Sequence, residues 1–256
     1  MVMIVSFCPH QFTLIGTDVC GKYHGEVHSI RVHLKSGVWV ASHGGETTVF
    51  RDWAGVGPQE AEAEILAQQI ALETESSGWI PNENYPGQSM THACMRRGGI
   101  CSIISSSLGE SGPFILPYSD GFEKHATLIG MNTESRKRWG FPAPNIQSQD
   151  HHYLRENDGH SLTMMTGMAV RAMASRDWRA LGGILDQAWR LRIDNIPQSV
   201  MDYYNEAMLL GAWGCSWVAP SLLLVLHDKE LTLSLGSSRP VEIDQEGARP
   251  LALIRK

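Results

Sequence analysis

Apolar and polar residues alternate most regularly between residues 27 and 41, where Ile30, Val32 and Leu34 interleave with Arg31, His33 and Lys35. A period of two marks a strand with one buried face, so a half-buried strand is predicted here. Ser36-Gly37 is a turn pair and Val38-Trp39-Val40 resumes the apolar run, which predicts a hairpin folding at 36–37. The apolar start, MVMIVSF, reads as a first strand. The rhythm then changes. EAEAEILAQQIALETE is dense in helix formers, and Ile65, Ile70 and Leu72 recur at helical spacing with supporting alanines, predicting a helix from about Gln59 to Glu75. Pro81 and Pro86 enforce an irregular connection, and SMTHACMRR forms a shorter helix ended by Gly98-Gly99.

Beyond residue 100 the segments ICSIIS, PFILPY and HATLIGMN read as strands. Leu162, Met165, Ala169 and Met173 mark an amphipathic helix. Asp177 is the expected cap of a second, with Leu181, Ile184, Leu185, Ala188 and Leu191 on its apolar face. Pro197 opens a third, whose face is Val200, Tyr203, Tyr204 and Ala207 and whose stop is Gly211. SLLLVLH and LTLSL are expected to pair as a hairpin, with a last strand at LALIRK. Strands and helices in segregated groups predict an α+β chain, divided into 1–120 and 121–256.

Bulk properties narrow the chemistry. A net charge of −6 without a basic surface argues against nucleic acid as a partner. No stretch reaches the length needed to cross a bilayer, and the N-terminus lacks the pattern of a leader, so a soluble cytoplasmic protein is expected. Five cysteines (Cys8, Cys20, Cys94, Cys101 and Cys215) with no CxxC spacing read as reduced core thiols. Asp150, His151 and His152 form a possible metal cluster, but adjacent histidines point to different faces, and a solvated helix entry is favoured.

The order of these elements resembles the GHMP kinase superfamily, the galactokinase, homoserine kinase and mevalonate kinase group, and within it the sugar kinases of the heptose 7-phosphate kinase type. CPHQFTLIGTDVCGKYHGEVHSIRV is similar to the family's first motif. PGQSMTHACMRRGG stands where GKQDQYAAAFGG is expected, HATLIGMNTESR resembles the strand bearing YTGxxR, and the segment from LRENDGHSLTMM to EAMLLGAWGCS resembles the paired helices and the approach to the third motif. The resemblance implies a two-lobed GHMP kinase-like fold, with a reduced N-terminal part like ribosomal protein S5 domain 2 and a ferredoxin-like α/β C-terminal part.

Three departures bear on activity. Only about two dozen residues separate Val40 from Ile65, where the family places further strands and a glycine-rich phosphate loop, and GVGP at 55–58 is short for that task. The family's catalytic aspartate falls on Ser89 and its neighbouring lysine on Gly87. The glycine-rich third motif falls on Trp217-Val218-Ala219-Pro220, where side chains crowd a backbone meant to lie close to a ligand. Phosphoryl transfer rests on positioning and charge stabilisation, so these losses together imply that ATP-dependent kinase activity is gone and that no cofactor is required.

The family's acceptor side is better preserved. The resemblance places Thr17, Asp18, Tyr23, His24, Gln88 and Arg136 around a small polar or phosphorylated sugar-like ligand, with Asp and Gln reading hydroxyls and Arg a phosphate. Asp18, Ser89 and His92 are the candidate catalytic groups, Ser89 and His92 being neighbours three apart on one helix. The structural alternatives are a turn and cap at Thr17-Asp18, an ion pair at Arg136, and a helix cap with a surface histidine at Ser89 and His92. Two other functions stay open: a pseudokinase acting through a protein partner or a second copy, and a residual sugar kinase using GVGP.

Overall fold

The computed structural model describes residues 2–16, 27–52, 58–77, 90–104, 113–116, 120–131, 156–191, 193, 196–219, 221–229 and 231–255. Among these, ten strands and five α-helices form two antiparallel sheets, an α+β arrangement. The first sheet has the order β10-β1-β2-β4-β5, with β3 also paired to β2. Its strands are β1 (Val2–Gly16), β2 (Val27–His43), β3 (Glu46–Arg51), β4 (Ile100–Ile104), β5 (Pro113–Ile115) and β10 (Arg249–Arg255). The second sheet runs β7-β8-β6-β9, from β6 (Ala126–Gly130), β7 (Gly214–Ala219), β8 (Leu222–Leu226) and β9 (Ser237–Pro240).

The predicted hairpin at 36–37 does not form. β2 is one continuous strand of 17 residues, and Gly37 serves a close approach instead: a Cβ there would stand 2.2 Å from the Cys8 carbonyl and 2.8 Å from the Phe7 ring. The chain needs a small residue at this point, and it obtains its extra length from a register shift between Pro9 and Gln11. The half-buried expectation changes as well. Ile30, Val32 and Leu34 are buried as predicted, but Arg31 and His33 on the opposite face are also buried, His33 against the Gly98-Gly99 turn that follows α2 (Met90–Arg97); Lys35 alone of that set is exposed.

Helix α1 (Pro58–Ser77) packs Ala63, Leu66, Ala67, Ile70 and Ala71 on Cys8, Val38 and Val40 of the first sheet. The opposite face of that sheet packs on α3 (Glu156–Ala174), while α4 (Trp178–Arg190) packs on α3 and β7, and the same core reaches β6 and β8. Asp177 caps α4 as its sequence predicts, accepting from the Ala180 N–H at 2.9 Å. Helix α5 (Gln198–Leu209) covers the outer face of the second sheet through Val200, Tyr203, Tyr204 and Ala207. Layers on both faces explain why all five residues of β8, LLLVL, are buried and why that run shows no alternation.

The predicted pairing of SLLLVLH with LTLSL is also corrected. β8 pairs with β7 on one side and β6 on the other, Ser216 opposite Leu224, while residues 231–233 lie in no strand. GAWGCS is expected to turn, yet Gly214 and the residues after it form β7, and the glycine is required inside that strand. A Cβ there would sit 1.9 Å from the Gly182 carbonyl of α4, so helix and strand meet backbone to backbone. From Val241 onward the chain crosses back to the first sheet, where β10 pairs with β1.

Candidate functional site

The candidate ligand residues fall almost entirely in three segments: Thr17, Asp18, Tyr23 and His24 in 17–26, Gln88 and Ser89 in 78–89, and Arg136 in 132–155. All seven lie outside the described residues. The structure describes the ends from which these segments leave. Gly16 pairs with Ser29 at the end of β1, Val27 pairs with Ile104, and Met131, where β6 ends, donates its N–H to the Ser221 carbonyl at 2.8 Å. Helix α2 begins at Met90, directly after Ser89, and packs over β1, β4 and β5.

His92 is the one candidate the structure places. It lies one turn into α2, half-buried, and burial followed by the charge of Arg96 one turn on holds its pKa below the usual histidine range. A neutral imidazole is therefore the form present near pH 7, which suits a proton acceptor. Arg96 is itself tied to Glu73 of α1 at 3.3 Å.

Beneath α2 lies a polar layer that the strand alternation assigns to solvent. His33 is fully buried; its Nδ1 is 2.9 Å from the Gly99 carbonyl and its Nε2 is 3.1 Å from the Gln11 side-chain amide. Burial lowers its pKa to about 4, so the ring is neutral. With Nδ1–H donating to Gly99, Nε2 is an acceptor facing Gln11 Oε1, a contact that becomes a hydrogen bond when the Gln11 amide turns over to offer its NH2. Arg31 is buried opposite Cys101, and Cys101 packs against Cys94 of α2. The hydrogen bond with Cys101 lowers the Cys94 thiol, helped by Arg31 and Arg97 against the effect of burial, and the same bond with burial raises Cys101. Cys8, Cys94, Cys101 and Cys215 are all free and buried. Sequence patterning missed Arg31 and His33 because the element that buries them arrives some 60 residues later.

The entry to α1 bears on phosphate binding. β3 pairs with β2 and ends at Arg51, and α1 starts at Pro58, so only residues 52–57 join them. The first two turns of α1 carry Glu60, Glu62 and Glu64, and Glu64 takes Arg51 as its ion-pair partner. Acidic residues suit a helix N-terminus, whose partial positive charge they neutralise. Trp213 and Trp217 are committed elsewhere: Trp213 packs against the core beneath α4, 5.3 Å from the His125 ring, and Trp217 packs with the cluster beneath α5.

No protein-family model matches the chain, and no curated protein matches it in sequence. Solved structures do match. A D-glycero-D-manno-heptose 1-phosphate kinase from Bacteroides thetaiotaomicron superposes with a TM-score of 0.68 at 11% identity, covering 100% of both chains. The protein has a GHMP kinase-like fold. A galactokinase from Lactococcus lactis complexed with galactose matches the fold with a TM-score of 0.62 at 10% identity, covering 97% of this chain and 95% of its own. A mevalonate diphosphate decarboxylase from Staphylococcus aureus matches at 0.59 and 14%, covering 98% and 99%. Kinases and a decarboxylase thus share this GHMP-like frame, and at such identities the likeness speaks for the fold alone. Among the described residues no helix is long and apolar enough to cross a membrane.

Proposed function

We propose that this GHMP-fold protein binds a small polar, phosphorylated sugar-like ligand beside α2 and no longer transfers phosphate from ATP. The observation that carries this reading is the join between β3 and α1. Six residues stand where a phosphate-cradling loop is expected, and the helix that should receive the phosphates opens with three glutamates. An incoming triphosphate would meet like charge at a helix end whose dipole is already satisfied. Ser89 in place of an aspartate supports the same conclusion from the other side of the site.

In this proposal Thr17, Asp18, Tyr23, His24, Gln88 and Arg136 contact the ligand, Arg136 facing its phosphate. Asp18, Ser89 and His92 are the groups available for a proton-transfer step. Neutral His92 is the acceptor of choice, since Ser89 has no charge to offer. The protein works in the cytoplasm and needs no cofactor.

Titration calorimetry against sugars, sugar phosphates and nucleotide sugars tests the reading, with thermal shift in Mg-ATP beside it. Binding of a sugar phosphate, weakened about tenfold or more in Arg136→Ala, with no shift in Mg-ATP, is the expected result. No binding across the panel would sink the ligand site, and a clear Mg-ATP shift would restore the residual kinase.

A second reading, a pseudokinase acting through a protein partner or a second copy, is favoured by one observation. Trp39, Phe50 and Leu251 leave 41%, 54% and 50% of their surfaces exposed on the first sheet, with Trp39 and Phe50 directly opposite one another. Light scattering that finds only a monomer, with no captured partner, counts against it.

A further inference from the structure

Helix α2 has eight residues, too few to hold its own conformation in water, so something outside it fixes its place. The contacts at its C-terminal end converge on the chain segment 244–249. The Gly99 N–H donates to the Asp244 carbonyl at 2.6 Å, the Asp244 N–H donates to the His33 carbonyl at 2.9 Å, and the Ala248 N–H donates to the Met95 carbonyl at 2.8 Å. Gly98 and Gly247 meet so closely that a Cβ on Gly98 would lie 2.4 Å from the Gly247 nitrogen, and one on Gly247 would lie 2.4 Å from the Arg96 carbonyl. Both glycines have positive φ, 68° and 74°, so neither position accepts an L side chain without strain.

The Asp244 carboxylate is the centre of this clamp. It is 5% exposed, and its Oδ1 accepts from the Glu246 N–H at 3.1 Å, the Gly247 N–H at 2.6 Å and Arg249 at 3.0 Å. Arg249 also reaches Asp244 Oδ2 at 3.1 Å and stacks over the Phe7 ring at 5.1 Å. A buried charge holding its own turn through two backbone N–H groups and a guanidinium is a rigid device. Its turn presents Gly247 to α2, and its backbone reaches both β2 and the Gly98-Gly99 turn.

We infer that Asp244 is a positioning residue for the candidate site: it shapes the 244–249 turn that pins the C-terminal end of α2, and thereby sets where His92 stands. The relevance to function rests on the proposed ligand site, but the positioning itself is measured without any ligand. Cys94 and Cys101 lie between α2 and β4, whereas Cys215 is buried in the second sheet, so thiol labelling resolved by peptide mass spectrometry separates loosening of α2 from global unfolding.

In Asp244→Ala, labelling of Cys94 and Cys101 is expected to accelerate about tenfold or more over the wild type while Cys215 changes less than about twofold. Asp244→Asn, which keeps the acceptor for the two N–H groups, should recover most of the protection. Should Asp244→Ala fail to fold, Arg249→Met is the milder variant, with an expected acceleration of about threefold at the same two cysteines. Equal acceleration at all three cysteines, or none at Cys94 and Cys101 in a folded variant, overturns the inference. Either result leaves the calorimetric test of the ligand site standing by itself.

Discussion

The layer beneath α2 and the layer beneath α4 are both sealed from solvent, yet they are built from different chemistry. Under α2 the first sheet presents Gln11, Arg31 and His33, and the His33 ring meets the Gln11 side-chain amide and the Gly99 carbonyl. Under α4 the second sheet presents Val218, Leu224 and Leu226 to the core that holds Leu181, Ile184 and Leu185, with Gly182 against Gly214 so that the backbones touch. An apolar interior is sensitive to changes in volume. A polar interior adds a dependence on protonation, and α2 is the helix that carries His92. The fold thus keeps pH-sensitive packing under α2 and volume-sensitive packing between α4 and the second sheet.

The largest expected effect lies on the apolar side. Gly214→Ala would drive a Cβ to 1.9 Å from the Gly182 carbonyl, with backbone on both sides and nothing flexible to yield. A loss of about 4 kcal/mol or more in denaturant unfolding is expected, enough to leave little folded protein. A well-folded Gly214→Ala variant would show that α4 is free to ride up and that the contact is looser than described.

Next comes the pH response of the polar side. His33 has a folded pKa of about 4 against an ordinary 6.5, so the unfolded chain binds the extra proton between those values. Its contribution is complete above about pH 6.5 and is lost as pH falls toward 4, by up to about 3 kcal/mol. His10, lowered to about 4 by burial and then by Arg51, acts in the same window. Urea midpoints at pH 7 and pH 5 measure the slope. His33→Gln should reduce it, leaving the share of His10; an unchanged slope would place the pH sensitivity elsewhere.

Two smaller effects sharpen the contrast. Asp177→Ala removes the α4 cap and should cost about 1 kcal/mol in the same unfolding assay. Arg190→Ala, which breaks an exposed pair with Asp186 at 2.9 Å, should cost under about 0.5 kcal/mol. If Arg190→Ala proved the more damaging, the α4 region would depend on its surface charges more than on its packing.

Much of the frame is legible in the sequence where local signals and tertiary packing agree. The Asp177 cap, the four-residue face of α5 and the Gly98-Gly99 stop of α2 all follow from spacing, because each is decided within a few residues. The misreadings occur where one residue type serves two purposes. Gly37 and Gly214 look like turns, but both sit inside strands because another backbone or ring lies against them. Arg31 and His33 look exposed because the helix that covers them is distant in the chain. Of the candidate site, only His92 falls among the described residues, and its neutral state comes from burial and from Arg96, which no motif encodes. Asp244 holds its own turn through the nearby Glu246, Gly247 and Arg249, but the docking of that turn on His33 and Gly99 is decided by segments far away in the chain.

The pairing of β1 with β10 has a consequence for the newly made chain. Met3 to Phe7 emerge well before their partners on that edge, Arg249 to Ile254, which follow roughly 240 residues later. At about 5–20 residues per second the outer edge of β1 waits on the order of ten to fifty seconds for its neighbour. Through that interval an apolar strand is open to any other unpaired edge in a crowded polysome, so the hazard at this edge is greatest before β10 exists, and a holding chaperone that shields β1 should raise the yield of folded chain.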